Sequence, residues 1–141
     1  MNVNQKGFVG LTRVVADLAA RGYEVFLPAH DFSAVDLIAL NTAGVAKRIQ
    51  VKYRSSENGS VAVPLATVVN GKHIPIDKGH IDGWAMFVAD RDAILYLPVS
   101  LADNSSSEFR VRFEERTTNR RSGSRPPAPM FSDFTDPVKL W

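Results

Sequence analysis

Residues 31–54 read DFSAVDLIALNTAGVAKRIQVKYR. An apolar run, Val35–Leu40, has the pattern of a strand and carries one carboxylate, Asp36. Asn41–Gly44 supplies a turn, and Val45–Arg54 returns as a second strand. Alternation along the return is clear. Ile49, Val51 and Tyr53 face one way, while Arg48, Gln50, Lys52 and Arg54 face the other. A lone carboxylate inside an apolar strand is costly unless it is paired or bound to a metal. Hairpin register decides what Asp36 meets. A five-residue loop, 41–45, sets it across from Gln50; a four-residue loop sets it across from Ile49, on the wrong face. The first register gathers the polar groups on one side, so Asp36, Gln50 and Lys52 are expected to cluster. The pattern alone also fits a plainer role. Asp36 then caps the turn or pairs with Arg48, and Gln50 and Lys52 lie on a solvated strand face.

Upstream, Asn4 is a candidate N-cap, and Phe8, Leu11, Val15 and Leu18 recur at helical spacing. Gly22 ends that helix. Tyr23–Leu27 reads as a short strand stopped by Pro28, and residues 29–34 as a polar connection. Downstream, Ser55–Gly59 is a polar turn and Ser60–Leu65 a strand. Residues 66–80 receive no assignment, because Pro75 and Gly79 interrupt them. Trp84–Ala89 and Ile94–Leu97 form a second hairpin turned at residues 90–92. Trp84, Phe87, Tyr96 and Phe113 are expected in the core. Ser100 caps one short helical turn through Asn104, and Phe109–Phe113 is a strand. Ser122–Pro129 has a linker composition. Phe131, Phe134, Leu140 and Trp141 are too apolar for a free tail. The expected organisation is one domain over residues 1–121, then a segment, 122–141, that docks on the core or on another subunit.

Composition excludes several classes. The chain has 141 residues, 45% of them hydrophobic and 23% charged, so a globular domain with a real core is expected. Without cysteine there is no disulfide scaffold, thiolate zinc site or cysteine nucleophile. His30, His73 and His80 lack metal-ligand spacing. No serine lies in a Gly-x-Ser-x-Gly setting. Gly7-x-x-Gly10 precedes the first strand, unlike a dinucleotide fingerprint. No apolar run approaches the ~18 residues of a membrane span. MNVNQKG shows no signal pattern, so a cytoplasmic protein without a membrane partner is expected. The net charge is only +2. Its distribution is more informative: Lys47, Arg48, Lys52 and Arg54 fall together, and Arg110, Arg112, Arg116, Arg120, Arg121 and Arg125 follow. Such stretches suit a phosphate backbone.

An Asp, a hairpin turn, then Gln-x-Lys resembles the PD-(D/E)XK nuclease superfamily. KGFVGLTRVVADLAARGYEVFLP, VDLIAL and RIQVK, in that order, are similar to its intron-associated homing endonuclease group, which carries Gln-Val-Lys where most relatives have Glu-x-Lys. The run IDGWAMFVADRDAILYLPV resembles that group's second hairpin. The resemblance spans roughly residues 5–115.

It implies an α/β, restriction-endonuclease-like core: an N-terminal helix on a central mixed sheet with hairpins. It also implies a metal-dependent DNA endonuclease, of the homing or Holliday-junction-resolving kind. Asp36, Gln50 and the Val51 carbonyl would hold magnesium, with manganese as a substitute. Lys52 would orient the attacking water and offset phosphate charge. Lys47, Arg48, Arg54, Arg110, Arg112, Arg120 and Arg121 would contact DNA, in a homodimer or homotetramer. Two positions depart from the family pattern. Val35 stands where proline is common, and Leu11 where a helix glutamate is frequent. One carboxylate facing one lysine gives a nearly neutral site and weak metal binding. Asp17, Glu24 or Asp31 could add a second carboxylate. The alternative expectation is a non-catalytic DNA-binding or assembly module on a degenerate nuclease fold.

Overall fold

The computed structural model describes residues 1–30, 32–102, 108–115 and 128–141. Helix α1 spans Val3–Ala20. Its N-cap is Asn2, two residues before Asn4, because Asn2 and Gln5 form a reciprocal cap. The Gln5 N–H donates to Asn2 Oδ1, and the Asn2 N–H donates to Gln5 Oε1, both at 2.9 Å. Gly22, at φ +85°, turns the chain out of the helix.

Among the described residues nine strands follow: β1 Glu24–Phe26, β2 Leu37–Leu40, β3 Ala46–Arg54, β4 Ser60–Pro64, β5 Ala66–Val69, β6 Lys72–Pro75, β7 Gly83–Val88, β8 Ala93–Pro98 and β9 Glu108–Arg112. Five of them make the central sheet, in the order β1-β2-β3-β7-β8. Its pairs are antiparallel except β3–β7, which is parallel, so the sheet is mixed as expected. β4 pairs with β9, and β5 with β6. The β5–β6 hairpin fills the stretch left unassigned above. It turns through Asn70 and Gly71, both at positive φ.

Two apolar layers sandwich the sheet. On one side α1 buries Val14 and Leu18 against Leu37, Ala39, Ile49, Ala85 and Tyr96. The buried line of the helix is Gly10–Val14–Leu18, with Leu11 and Val15 only partly buried. Phe8, expected on that face, is 68% exposed. Gly10 explains the rotation, since a Cβ there would lie 3.3 Å from Tyr53 Cβ. Without one, the helix settles directly on β3. On the other side Trp84, Met86, Leu95 and Leu97 meet Val61, Val63 and Val111 of the β4–β9 pair. Trp84, Phe87 and Tyr96 are buried as expected, while Phe113 is half-buried.

The C-terminal residues lie on this same core. Phe134 joins the second layer and Leu140 the first. Trp141 packs on Tyr23 at 4.9 Å between ring centroids, and its indole N–H donates to the Val45 carbonyl at 2.8 Å. Ser100 sits in a 3-10 turn, Val99–Leu101, with no side-chain cap; Asn104 lies outside the described residues, as do residues 122–127 of the linker-like stretch. Among the described residues, no helix is long and apolar enough to cross a membrane.

Candidate active site

The β2–β3 ladder runs from Leu40↔Ala46 to Leu37↔Ile49, which leaves residues 41–45 as the loop. Asp36 is the next residue out. Its N–H donates to the Ile49 carbonyl at 3.0 Å, one position short of continuing the ladder, so the chain peels away there. The second half of β3 therefore has β7 on one edge and, among the described residues, no strand on the other. The Asp36 carboxylate takes the place of the missing strand: the Val51 N–H donates to its Oδ2 at 2.6 Å. In an extended strand a residue's N–H and C=O leave on the same edge. The Val51 carbonyl thus faces the same opening.

Both charged groups at this edge are half-buried. Burial is the main cause that raises the Asp36 pKa above the ordinary carboxylate value; the Val51 N–H and the Lys52 charge oppose it. Burial is also the main cause that lowers the Lys52 pKa. The Asp36 charge resists that shift and Arg54 adds to it. Each group is thus pushed towards neutrality and held charged in part by the other. Arg48 does not pair with Asp36. Its backbone N–H and Nε donate to Asp82 Oδ2, its Nη2 to Asp82 Oδ1, and its Nη1 to the Gly79 carbonyl. This bidentate pair lowers the Asp82 pKa and braces the turn before β7.

Gln50 lies beside Trp84 in the β3–β7 ladder. Its Oε1 is buried and accepts no hydrogen bond, and Trp84 Nε1 is buried without an acceptor. A buried acceptor left unmet costs about 1–3 kcal/mol. Folding alone gives no reason for an amide there; a ligand for its oxygen would.

The candidate donor set is therefore the Asp36 carboxylate, Gln50 Oε1 and the Val51 carbonyl. All are oxygens and only one is charged, which fits a hard divalent cation that keeps most of its waters. Among the described residues there is no group of three His, Cys, Asp or Glu side chains that could hold a metal. Asp17 is engaged elsewhere, accepting from the Tyr96 hydroxyl at 2.6 Å and from Arg21 at 3.0 Å. Glu24 pairs with Leu40, at the far end of the ladder from Asp36. Asp31 lies outside the described residues. Leu11 packs against the α1 layer.

The basic residues separate into groups. Lys47 sits in β3 opposite Ala39, and Arg48 is occupied by Asp82. Arg110 and Arg112 lie on β9; Arg110 bonds Glu108 and Ser60, and Arg112 the Ala128 carbonyl. Arg116, Arg120, Arg121 and Arg125 lie outside the described residues. Arg54 and Lys52 line a cleft of ≈ 480 Å³ with two residues of α1 that are not among the candidate site residues above, Lys6 and Gly7. Their sequence signal was the Lys-Gly at the start of KGFVGL, which was read for its helix and not for its charge.

A family model for PD-(D/E)XK endonucleases matches residues 1–132. The chain belongs to that family. No curated protein matches it. Among solved structures, the bacterial homing endonuclease I-Ssp6803I is similar, with a TM-score of 0.67 and 18% identity over 90% of this chain and 85% of that one. The Holliday junction resolvase Hjc of Archaeoglobus fulgidus, an archaeal hyperthermophile, is similar with a TM-score of 0.51 and 15% identity over 76% and 84%. At these identities the likeness is one of fold. This PD-(D/E)XK chain thus has a restriction-endonuclease-like core, with a single carboxylate, Asp36, among the described residues at the open edge of β3.

Proposed function

We propose that this PD-(D/E)XK protein is a divalent-metal-dependent DNA endonuclease of the homing or junction-resolving kind. The observation that carries the reading is the open edge of β3. There a half-buried Asp36, held on the Val51 N–H, meets the unmet oxygen of Gln50 and the half-buried Lys52 across three consecutive residues of β3. Magnesium or manganese held by Asp36, Gln50 Oε1 and the Val51 carbonyl would stabilise charge on the phosphoryl oxygens and the leaving oxygen. Asp36 is kept in place by the Val51 N–H, which leaves its second oxygen for a ligand. Gln50 contributes an oxygen without adding charge. Lys52 donates a hydrogen bond that holds the attacking water, and its ammonium offsets the negative charge that grows on phosphorus. The water oxygen forms the new P–O bond as one ester P–O bond breaks; the water's proton passes to solvent, and the departing oxygen takes up a proton from solvent to leave as an alcohol.

One chain carries one such site, so cutting both strands calls for a homodimer or homotetramer. Lys47 and Arg54 on β3, and Arg110 and Arg112 on β9, are the described cations proposed to meet the phosphate backbone. A second reading, a DNA-binding or assembly module without catalysis, is favoured by the lone carboxylate and by Leu11. Supercoiled plasmid and a four-way junction incubated with magnesium or manganese separate the two. Metal-stimulated nicking or resolution supports the enzyme. Binding without cleavage of either substrate supports the module.

A further inference from the structure

α1 contains two glycines, and only one is explained by packing. Gly10 lets the helix touch Tyr53. At Gly7 an added Cβ meets nothing within 4 Å. A glycine inside a helix weakens it relative to alanine, and at Gly7 no neighbour in the fold requires that loss. Gly7 does line the cleft between the first turns of α1 and the open edge of β3, together with Lys6, Lys52, Tyr53, Arg54 and Ser55. Three cations and no carboxylate line this space. Lys6 and Lys52 form no ion pair among the described residues, and Arg54 uses one guanidinium N–H on the Tyr53 carbonyl at 2.9 Å. Lys52 and Val51 belong both to the cleft and to the candidate active site, so the two are continuous.

We infer that this cleft is a seat for the DNA strand being cut: it holds the phosphodiester next to the scissile one. Lys6 and Arg54 bind that phosphate from opposite walls, and Gly7 is bare so that the sugar-phosphate backbone can lie against the helix. The inference rests on the nuclease reading above, since a nucleic acid strand is the polyanion that would run from Lys52 into this space. It adds two residues on α1 to the DNA-contacting set.

The test uses the full chain carrying Asp36→Ala, so that DNA is bound and not cut, with a mixed-sequence duplex and a four-way junction at several salt concentrations. Gly7→Ala is expected to keep or raise Tm while weakening DNA affinity about tenfold. Lys6→Gln is expected to weaken affinity and to lower the salt slope by about one. Lys139→Gln, an exposed cation in the C-terminal turn, is the control and should leave both unchanged. Opposite signs for stability and binding at Gly7 are the signature, because a merely structural role moves both the same way. Parent-like affinity and salt slope in both Gly7→Ala and Lys6→Gln would overturn the cleft assignment alone. A parent that binds neither DNA at low salt would overturn the cleft and the nucleic-acid reading together.

Discussion

Asp36 and Lys52 are held at a cost that the fold itself does not require. The Asp36 pKa is raised above 3.8, so its stabilising contribution is greatest below that value and is lost as pH rises through the folded pKa. The Lys52 pKa is lowered below 10.5, so its contribution is greatest above that value and is lost as pH falls through the folded pKa. Between the two folded values both groups are charged, and both weaken the fold. The double variant Asp36→Asn, Lys52→Met is therefore expected to melt higher near neutral pH. A gain of about 1 kcal/mol is expected, the low end for replacing a buried ion pair because both groups are only half-buried. Differential scanning calorimetry at pH 7 checks the sign, and a lower Tm would count against it. Gln50→Leu removes a buried unmet oxygen and should leave Tm level or higher, while lowering metal-stimulated cleavage at least about tenfold. Cleavage should also fall in acid as Asp36 takes up its proton. Because burial raises its pKa, Asp36 of the metal-free protein should take up that proton at higher pH than an ordinary carboxylate, readable from an NMR titration of its carboxyl carbon without added metal.

At the scale of elements, glycine sets how closely the layers approach. At Gly83 a Cβ would lie 2.6 Å from Leu140 Cδ2 and 2.7 Å from the Leu97 carbonyl oxygen. Gly83→Ala must displace backbone as well as side chain. A loss of about 1–3 kcal/mol is expected, with loosening of the C-terminal turn, measurable by urea unfolding and by hydrogen exchange at Leu140 and Trp141. β2, β3, β7 and β8 were legible because each carries a continuous apolar or alternating pattern. The Asp36–Val51 hydrogen bond was not, because it depends on where β2 peels away from β3. The β5–β6 hairpin had a strong turn signal in Asn70-Gly71, masked by the strand-breaking tendency of Pro75; proline is tolerated at the end of a short exposed strand. The rotation of α1 away from Phe8 was missed because apolar spacing records which residues could face the core, while Gly10 decides which line does.

For the whole molecule, the small net charge conceals a division of labour among cations. Arg48 and Arg110 are paired with Asp82 and Glu108, whereas Lys6, Lys52 and Arg54 line one cleft. The candidate site was legible as a set of residues, since Asp36, Gln50 and Lys52 share one stretch. Lys6 and Gly7 were not, because only the fold brings the start of α1 to the end of β3. A single site in a chain of 15.5 kDa also bears on assembly. Sedimentation equilibrium is expected to give twice or four times that mass, and a strict monomer that cuts both strands would contradict the assembly reading.

The central claim is that phosphodiester cleavage takes place at the open edge of β3. It is tested most directly by single-turnover nicking of supercoiled plasmid in magnesium or manganese by the wild type, Asp36→Ala and Lys52→Ala, each first shown to be folded and to bind DNA. The expected result is metal-dependent cleavage by the wild type and a loss of at least about 100-fold in each variant. Cleavage at the wild-type rate by both variants would contradict the claim.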